Sequence, residues 1–410
     1  MYARRVRRRS LAAVFAVAGL GVVVACSTFE SSDGASPDTD AGDGVAPPND
    51  ALAGDVASDT GAVATPCDGE PVWVTPSSPV PTATCNGASG INLLNSTDHC
   101  GRCNHSCGAE LCADGNCQAR PEDTGPALLL GWDATAIYYA RGLFPPTDIV
   151  RLVPGGQEPK VTLYTHTAPG DDGYVSAGAV SADKLWFRTR AGIHAIDKVA
   201  ATDAASPPIA TMPYDIGGTL AFYGDRLLTQ NNSTLNIDQV APDGSVTPFI
   251  SNAGYTYTTF GEPNRFVWVS QPFIANKAGP SGLHVFAAGA ARDLWTSDDA
   301  LGGLAVSGNS AWVVRRGDAG EVRAIDLVDG GGTTIHADSF HDRLGVAVDT
   351  THVFWMRERD DLNGYEVWKQ AHCGGEAVRI GSLGDVFAIL PWNDGRLYAF
   401  GQYGLVSIAK

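Results

Sequence analysis

The stretch LGVAVDTTHVFWMRERDDLNGYEVWKQAHCGGEAVRIG, residues 344–381, carries the pattern that decides the fold. It divides at its turn residues. LGVAVD (344–349) is an apolar run, Thr350-Thr351 a turn, and HVFWMRE (352–358) a second run with an aromatic centre. RDDLNG leads into YEVWKQA (365–371), and HCGGE leads into AVRIG (377–381). Short runs rich in β-branched and aromatic residues, punctuated by Gly, Asn and Asp, read as strands joined by hairpins.

The unit recurs. GLAVS (303–307), SAWVVRR (310–316), EVRAID (321–326) and TTIHAD (333–338) repeat it one step upstream. Its second strand is found throughout the C-terminal part as AIYYA (136–140), KLWFR (184–188), RLLTQ (226–230), FVWVS (266–270), AWVVR (311–315), VFWMR (353–357) and RLYAF (396–400). The centres Tyr138, Trp186, Leu228, Trp268, Trp312, Phe354 and Tyr398 are separated by 48, 42, 40, 44, 42 and 44 residues. A period of 40–45 residues with four strands per unit is the mark of a β-propeller. The expected fold is all-β, a propeller over 118–410, with seven four-stranded blades and six as the alternative count. The last unit offers only GDVFAIL, RLYAFG and LVSIAK before Lys410. A missing fourth strand would leave an open edge. NCQARP (116–121), just before the first inner strand ALLLG (127–131), is expected to fill it.

Upstream the composition changes. MYARRVRRRS has five arginines, and Leu11–Val24 is apolar and uncharged. That run is shorter than the about 20 residues of a membrane-spanning helix, so residues 1–25 read as a secretory signal peptide. Val23-Val24-Ala25-Cys26 resembles the bacterial lipobox. The resemblance implies a diacylglycerol, and palmitate, on Cys26, with cleavage just before it; the alternative is an ordinary signal peptide cut elsewhere. Ser27, rather than aspartate, favours the outer membrane or cell surface in this resemblance. Residues 27–66 carry eight acidic groups, no Lys or Arg and few large apolar residues. With Cys26 they read as a disordered acidic tether, 26–66, because so little apolar area cannot offset the entropy of ordering.

Seven of the nine cysteines fall between Cys67 and Cys117. The dense part, HCGRCNHSCGAELCADGNC, holds Cys100, Cys103, Cys107, Cys112 and Cys117, and Cys85 precedes it. In an oxidising compartment such clustering reads as a disulfide module, 67–117, whose connectivity spacing does not give. His99, Cys100, Cys103, His105 and Cys107 offer zinc as the alternative, although no metal and no cofactor is expected. The segment resembles a small module of bacterial surface lipoproteins, NCGxCGxxCxxGxxCxNGxC, that precedes propeller-like repeat domains. That module usually has a further cysteine near the position of Gly90, missing here, so its usual pairing is not carried over. Cys373, in a turn between third and fourth strands, is expected to pair with Cys67 or Cys85; the alternative is a free thiol.

Net charge is −17. Without the signal arginines, 23 basic residues face 45 acidic ones, giving −22. So acidic a surface repels phosphate backbones, and no nucleic-acid partner is expected. No G-x-S-x-G and no H-E-x-x-H occurs, so neither motif-based chemistry applies. Asp360, Asp361, Asn363 and Gly364 depart from the EF-hand spacing and read as a turn. His166, His194, His284, His336, His341 and His352 are scattered about one per unit. The longest loops on the expected top face are 141–147, 271–282 and 357–364. There Phe144 and Phe273 are candidate apolar anchors, and Arg357, Arg359, Asp360 and Asp361 candidate polar contacts. The expected protein is a monomeric, membrane-anchored, non-catalytic scaffold for a protein or glycan ligand. A lyase or hydrolase working in the central channel is the alternative, and a plain envelope spacer a third. Growth with labelled palmitate tests the anchor: the wild type should carry label, and Cys26→Ala should carry none.

Overall fold

The computed structural model describes residues 82–108, 110–142, 145–156, 159–167, 174–200, 208–211, 218–271, 280–317, 320–337, 345–359 and 364–410, with the side chain of Tyr257 left out. The expected signal peptide and tether, with Cys26 and Cys67, lie outside them. All regular structure among the described residues is β-strand.

Seven four-stranded antiparallel meanders form the propeller. Strands are labelled a to d from the ring centre outward. Blade 1 is Ala127–Trp132, Ile137–Arg141, Thr147–Leu152 and Lys160–His166; blade 2 is Ala177–Val180, Lys184–Arg188, Gly192–Asp197 and Ala210–Thr211. Blade 3 is Leu220–Tyr223, Arg226–Asn231, Asn236–Val240 and Val246–Ile250; blade 4 is Tyr255–Gly261, Arg265–Gln271, Ser281–Ala287 and Ala290–Ser297. Blade 5 is Leu301–Ser307, Ser310–Arg315, Glu321–Asp326 and Gly332–Ala337; blade 6 is Val346–Val348, His352–Glu358, Tyr365–Ala371 and Gly374–Leu383. Blade 7 is Val386–Pro391, Arg396–Gly401, Gly404–Ala409 and, from the other end of the domain, Arg120–Thr124.

Both faces of each sheet pack on a neighbour, so the strands read as near-continuous apolar runs. ALLLGW of blade 1 is buried throughout. The cores lie between blades: Leu129, Ile137, Tyr139 and Val150 of blade 1 meet Leu390, Tyr398 and Phe400 of blade 7. Of the repeat centres, Tyr138, Leu228, Trp268, Trp312, Phe354 and Tyr398 are buried, and Trp186 is half-buried. The aromatic period is thus the spacing of the wedges that fill these interfaces.

Closure falls a few residues later than the sequence suggests. Thr124, Asp123, Pro121 and Arg120 pair with Gly404, Leu405, Val406 and Ser407. Asn116 and Cys117 are taken instead by a hairpin with Cys112–Ala113, fastened by the Cys107–Cys117 disulfide. The closing strand is held by side chains as well: the Tyr139 hydroxyl donates to Asp123 at 2.6 Å, and Ser407 donates to Glu122.

The small module before it carries Cys85–Cys103, Cys100–Cys112 and Cys107–Cys117 disulfides. These bonds occupy the thiolates that the zinc alternative would need. Cys100, Cys107, Cys112 and Cys117 are buried in one apolar cluster with Ile380 and Ile408 of blades 6 and 7. Glu110 meets the Arg396 guanidinium at 3.1 Å. His105 Nδ1 lies 2.6 Å from the Cys100 carbonyl, and burial pushes its pKa down to about 4, so it is neutral there. Arg396 begins strand b of blade 7 and Lys410 follows strand c. The module therefore sits at the rim where the a–b and c–d turns lie, called the bottom here; b–c and d–a connections form the top.

Bottom turns are tied by aspartates. Asp133 accepts the backbone N–H groups of Thr135 (2.8 Å) and Ala136 (3.0 Å), and Asp349 those of Thr351 and His352 (both 2.9 Å). An aspartate that accepts backbone hydrogen bonds from two and three residues on fixes a tight turn. Each also binds a lysine from an adjacent blade: Lys198 to Asp133 at 2.9 Å and Lys410 to Asp349 at 2.8 Å. Burial alone would raise both carboxyls, but the lysine and turn hydrogen bonds outweigh it and hold each at about 2.

Two predictions follow from these contacts. A depressed carboxylate stabilises the fold above its unfolded pKa of about 4, and that contribution is lost as pH falls through about 2. Acid should cost roughly 2 kcal/mol per site over that window, and an Asp133→Asn/Asp349→Asn variant should show a flatter melting temperature between about pH 4 and pH 2. Cys373 is disulfide-bonded, whereas Cys85, its one expected partner among the described residues, is bonded to Cys103. Non-reduced peptide mapping should therefore recover Cys373 joined to Cys67; a free Cys373 thiol would remove this link.

Candidate functional site

The inner strands line the ring centre with ALLLGW, AGAV, LAFY, YTYTTFG, LGGLAVS, VAV and VFAILP. None of them contains Asp, Glu, His, Lys or Arg. Acid–base chemistry in the channel would have to draw on other strands.

Polar groups are buried elsewhere, at the top ends of blades 1 to 4. Thr147, His166, Arg188, Thr189, His194, Gln230, Asn231, Thr256, Ser270 and Ser281 are all buried there. Burying a polar group costs free energy unless it is hydrogen-bonded. Several have no hydrogen-bond partner among the described residues: Thr147 Oγ1, both ring nitrogens of His166, Arg188 Nη2, Gln230 Oε1 and Thr256 Oγ1.

Between blades 1 and 2, the His166 and His194 rings are 5.3 Å apart, with Phe187 stacked on His194 at 5.1 Å. His194 Nε2 lies 3.1 Å from Thr189 Oγ1. Burial, and secondarily His194, pushes the His166 pKa down, which favours its neutral imidazole.

Arg188 ends strand b of blade 2 and turns towards blade 3. Its Nη1 donates to Thr229 Oγ1 at 3.0 Å and to the Gln230 carbonyl at 2.9 Å. A Cβ on Gly218 would lie 2.0 Å from Nη1, so only glycine leaves room for this guanidinium. It is 2% exposed and forms no ion pair with a carboxylate among the described residues. Burial pushes its pKa down to about 10, which still leaves it charged at neutral pH.

The arc continues into blade 4. Gln230 Nε2 donates to the Gly254 carbonyl at 3.4 Å, and Gly254 lies against the Ser270 side chain. Ser270 Oγ is 2.7 Å from His284 Nε2, and His284 Nδ1 is 2.7 Å from Asp293 Oδ1.

Of the loop residues singled out from the sequence, two lie among the described residues, on blade 6. Phe144, Phe273, Asp360 and Asp361 lie outside the described residues. Arg357 is half-buried on strand b of blade 6 opposite Glu366, and the Arg359 N–H donates to the Gly364 carbonyl at 3.0 Å. Of the scattered histidines, His166, His194 and His284 reach the top of blades 1, 2 and 4. His336 packs on Trp355, His352 sits at a bottom turn and His341 lies outside the described residues. Arg188, Ser270 and Asp293 were not visible as site residues, because their partners come from other strands and blades.

No protein-family model matches the chain, and no curated protein is similar to it in sequence. Its fold is similar to that of a streptogramin B lyase, with a TM-score of 0.53 and 13% identity over 71% of this chain and 96% of that one. It is similar to the extracellular domain of a hybrid two-component system from B. thetaiotaomicron, with a TM-score of 0.51 and 13% identity over 71% of this chain and 39% of that one. It is also similar to a puromycin hydrolase, with a TM-score of 0.50 and 13% identity over 70% of this chain and 52% of that one. At such identity the likeness is one of fold. The propeller is shared by enzymes and by a protein's extracellular domain, so the fold does not choose a function.

Proposed function

We propose that this chain is an extracytoplasmic lipoprotein, held to the outer membrane by a lipid on Cys26, whose propeller binds a ligand at the top of blades 1 to 4. The ligand carries a carboxylate or similar anionic group, on a glycan or on a protein. Arg188 is the observation that carries this reading. Among the described residues no carboxylate reaches this guanidinium, and a charge so buried costs several kcal/mol of desolvation that its two neutral hydrogen bonds do not return. Such a group is retained where an anion completes it. The chain's overall negative charge makes this cationic spot a local exception, and like-charge repulsion elsewhere would reject anions that do not fit it. Absence of acidic and basic residues from the inner strands supports recognition over chemistry in the channel.

The test separates recognition from stability. Arg188→Met removes the charge and keeps the bulk. The variant leaves the Gln230 carbonyl short of a donor, at about 1–3 kcal/mol, but relieves the larger cost of an unpaired buried charge. It should melt no lower than the wild type. In a panel of acidic and neutral glycans and peptides, wild-type protein should bind acidic members, and Arg188→Met should lose at least about tenfold in affinity, or 1.4 kcal/mol. Equal binding of the panel by both proteins would remove Arg188 from the site.

A further inference from the structure

Ser270, His284 and Asp293 stand on strands b, c and d of blade 4, all facing one way. Ser270 is opposite Gly282, two residues from His284, and His284 is opposite Asp293. An ionised carboxylate only accepts hydrogen bonds, so Asp293 takes the Nδ1–H of His284. Nε2 is then the acceptor, and the Ser270 hydroxyl donates to it. This is the order of atoms by which a serine is made nucleophilic: hydroxyl to imidazole Nε2, imidazole Nδ1–H to carboxylate.

We propose that Ser270 is a nucleophile, with His284 its general base, that transfers the acyl group of an ester to water. This activity goes beyond ligand recognition at Arg188 and does not rest on it.

Three further observations support the assignment. The imidazole is held in place: the Trp268 ring, on the residue opposite His284, stacks on it at 4.9 Å. Trp268 is itself fixed by donating its indole N–H to the Ala253 carbonyl at 3.2 Å. Second, the slot between serine and histidine is kept clear. A Cβ on Gly282 would lie 2.5 Å from His284 Nε2, so any other residue there would push the ring off Ser270. Third, a spare donor is at hand. Thr256, paired with Ser270 across strands a and b, is 3% exposed, and its hydroxyl has no partner among the described residues. Directly opposed side chains lie about 5 Å apart at Cβ, close enough for this hydroxyl to face an oxyanion formed at Ser270. All these groups sit on strands, which hold a constellation more rigidly than loops do.

The step balances with water alone. Ser270 Oγ bonds to the ester carbonyl carbon as its proton passes to His284 Nε2, and the carbonyl oxygen becomes an oxyanion facing the Thr256 hydroxyl. Collapse breaks the bond to the leaving alcohol, which takes the proton from Nε2. Water then adds to the acyl carbon and gives a proton to Nε2. Release of the acid returns that proton to Ser270. Asp293 touches no reacting atom and is a positioning residue. Its side chain is 73% exposed, so solvent weakens its hold on the imidazole and its removal should cost less than in a buried triad.

A fluorophosphonate probe applied to the full chain tests this, since Ser270 Oγ displaces fluoride from phosphorus only when its proton has a base to go to. The wild type should yield one phosphonylated peptide, containing Ser270, and Ser270→Ala should yield none. His284→Gln should react at least about 10²-fold more slowly. Gly282→Ala should match it, with melting temperature and circular dichroism showing each variant folded. Asp293→Asn should lose about tenfold, less than the roughly 10⁴-fold of a buried carboxylate, and Asp293→Glu should recover part of that loss. An unlabelled wild type, or a folded His284→Gln labelled at the wild-type rate, would overturn the proposal.

Discussion

Antiparallel pairing of Arg120–Thr124 with Gly404–Ala409 turns a row of seven sheets into a closed ring. Without it, blade 7 would expose the unpaired edge of its third strand, and the apolar faces of blades 1 and 7 would lose the partner each needs. Residues more than 280 apart in sequence are joined there, as in the Ser407–Glu122 hydrogen bond. Such long-range closure carries a large entropic cost in the unfolded chain. The module helps to bear it. Its disulfides fix the chain that leads into the closing strand, and its cysteines share an apolar cluster with blades 6 and 7. The small domain thus acts as a clasp on the ring as well as an appendage to it.

The two rims of the ring treat polar groups in opposite ways. At the bottom, charges are paired: Asp133 with Lys198, Asp349 with Lys410 and Glu110 with Arg396. These pairs join neighbouring blades, or module to ring, and the two aspartates accept turn amides as well. At the top of blades 1 to 4 the groups are as deeply buried, and among the described residues Arg188, His166 and Thr256 each hold unused donors or acceptors. A stability argument explains the first rim. The second opposes stability unless something beyond the described residues completes it.

How much of this was legible in the sequence follows from how local each feature is. The aromatic centres from Tyr138 to Tyr398 are visible because each blade must fill the same gap against its neighbour, so one requirement recurs at one period. The closing strand was misplaced by a few residues because NCQARP serves two structures. Cys117 is claimed by Cys107, and pairing with blade 7 can begin only at Arg120. Arg188 and Gln230 meet across 42 residues, and the strand pattern KLWFR reveals nothing of what its last side chain will face. Ser270, His284 and Asp293 are spaced by the lengths of two hairpins rather than by any catalytic motif. A search for nucleophile elbows passes over them, because here the geometry comes from neighbouring strands instead of one sharp turn.

The position of the module also bears on which rim is free. The chain reaches the ring at the bottom, where Cys100, Cys107, Cys112 and Cys117 pack on blades 6 and 7. On the proposed anchor, 40 residues lie between Cys26 and Cys67, and a flexible chain of that length spans about 35 Å on average. Its acidic charges favour longer extension. A tether of this kind does not orient the body rigidly; what biases it is the point of attachment. On that proposal, a propeller attached at the bottom rim would turn its paired charges towards the membrane and the top of blades 1 to 4 towards the solvent. The distribution of polar burial and the path of the chain are independent features of the sequence. That both assign exposure to the same rim is the strongest reason to look for the ligand there.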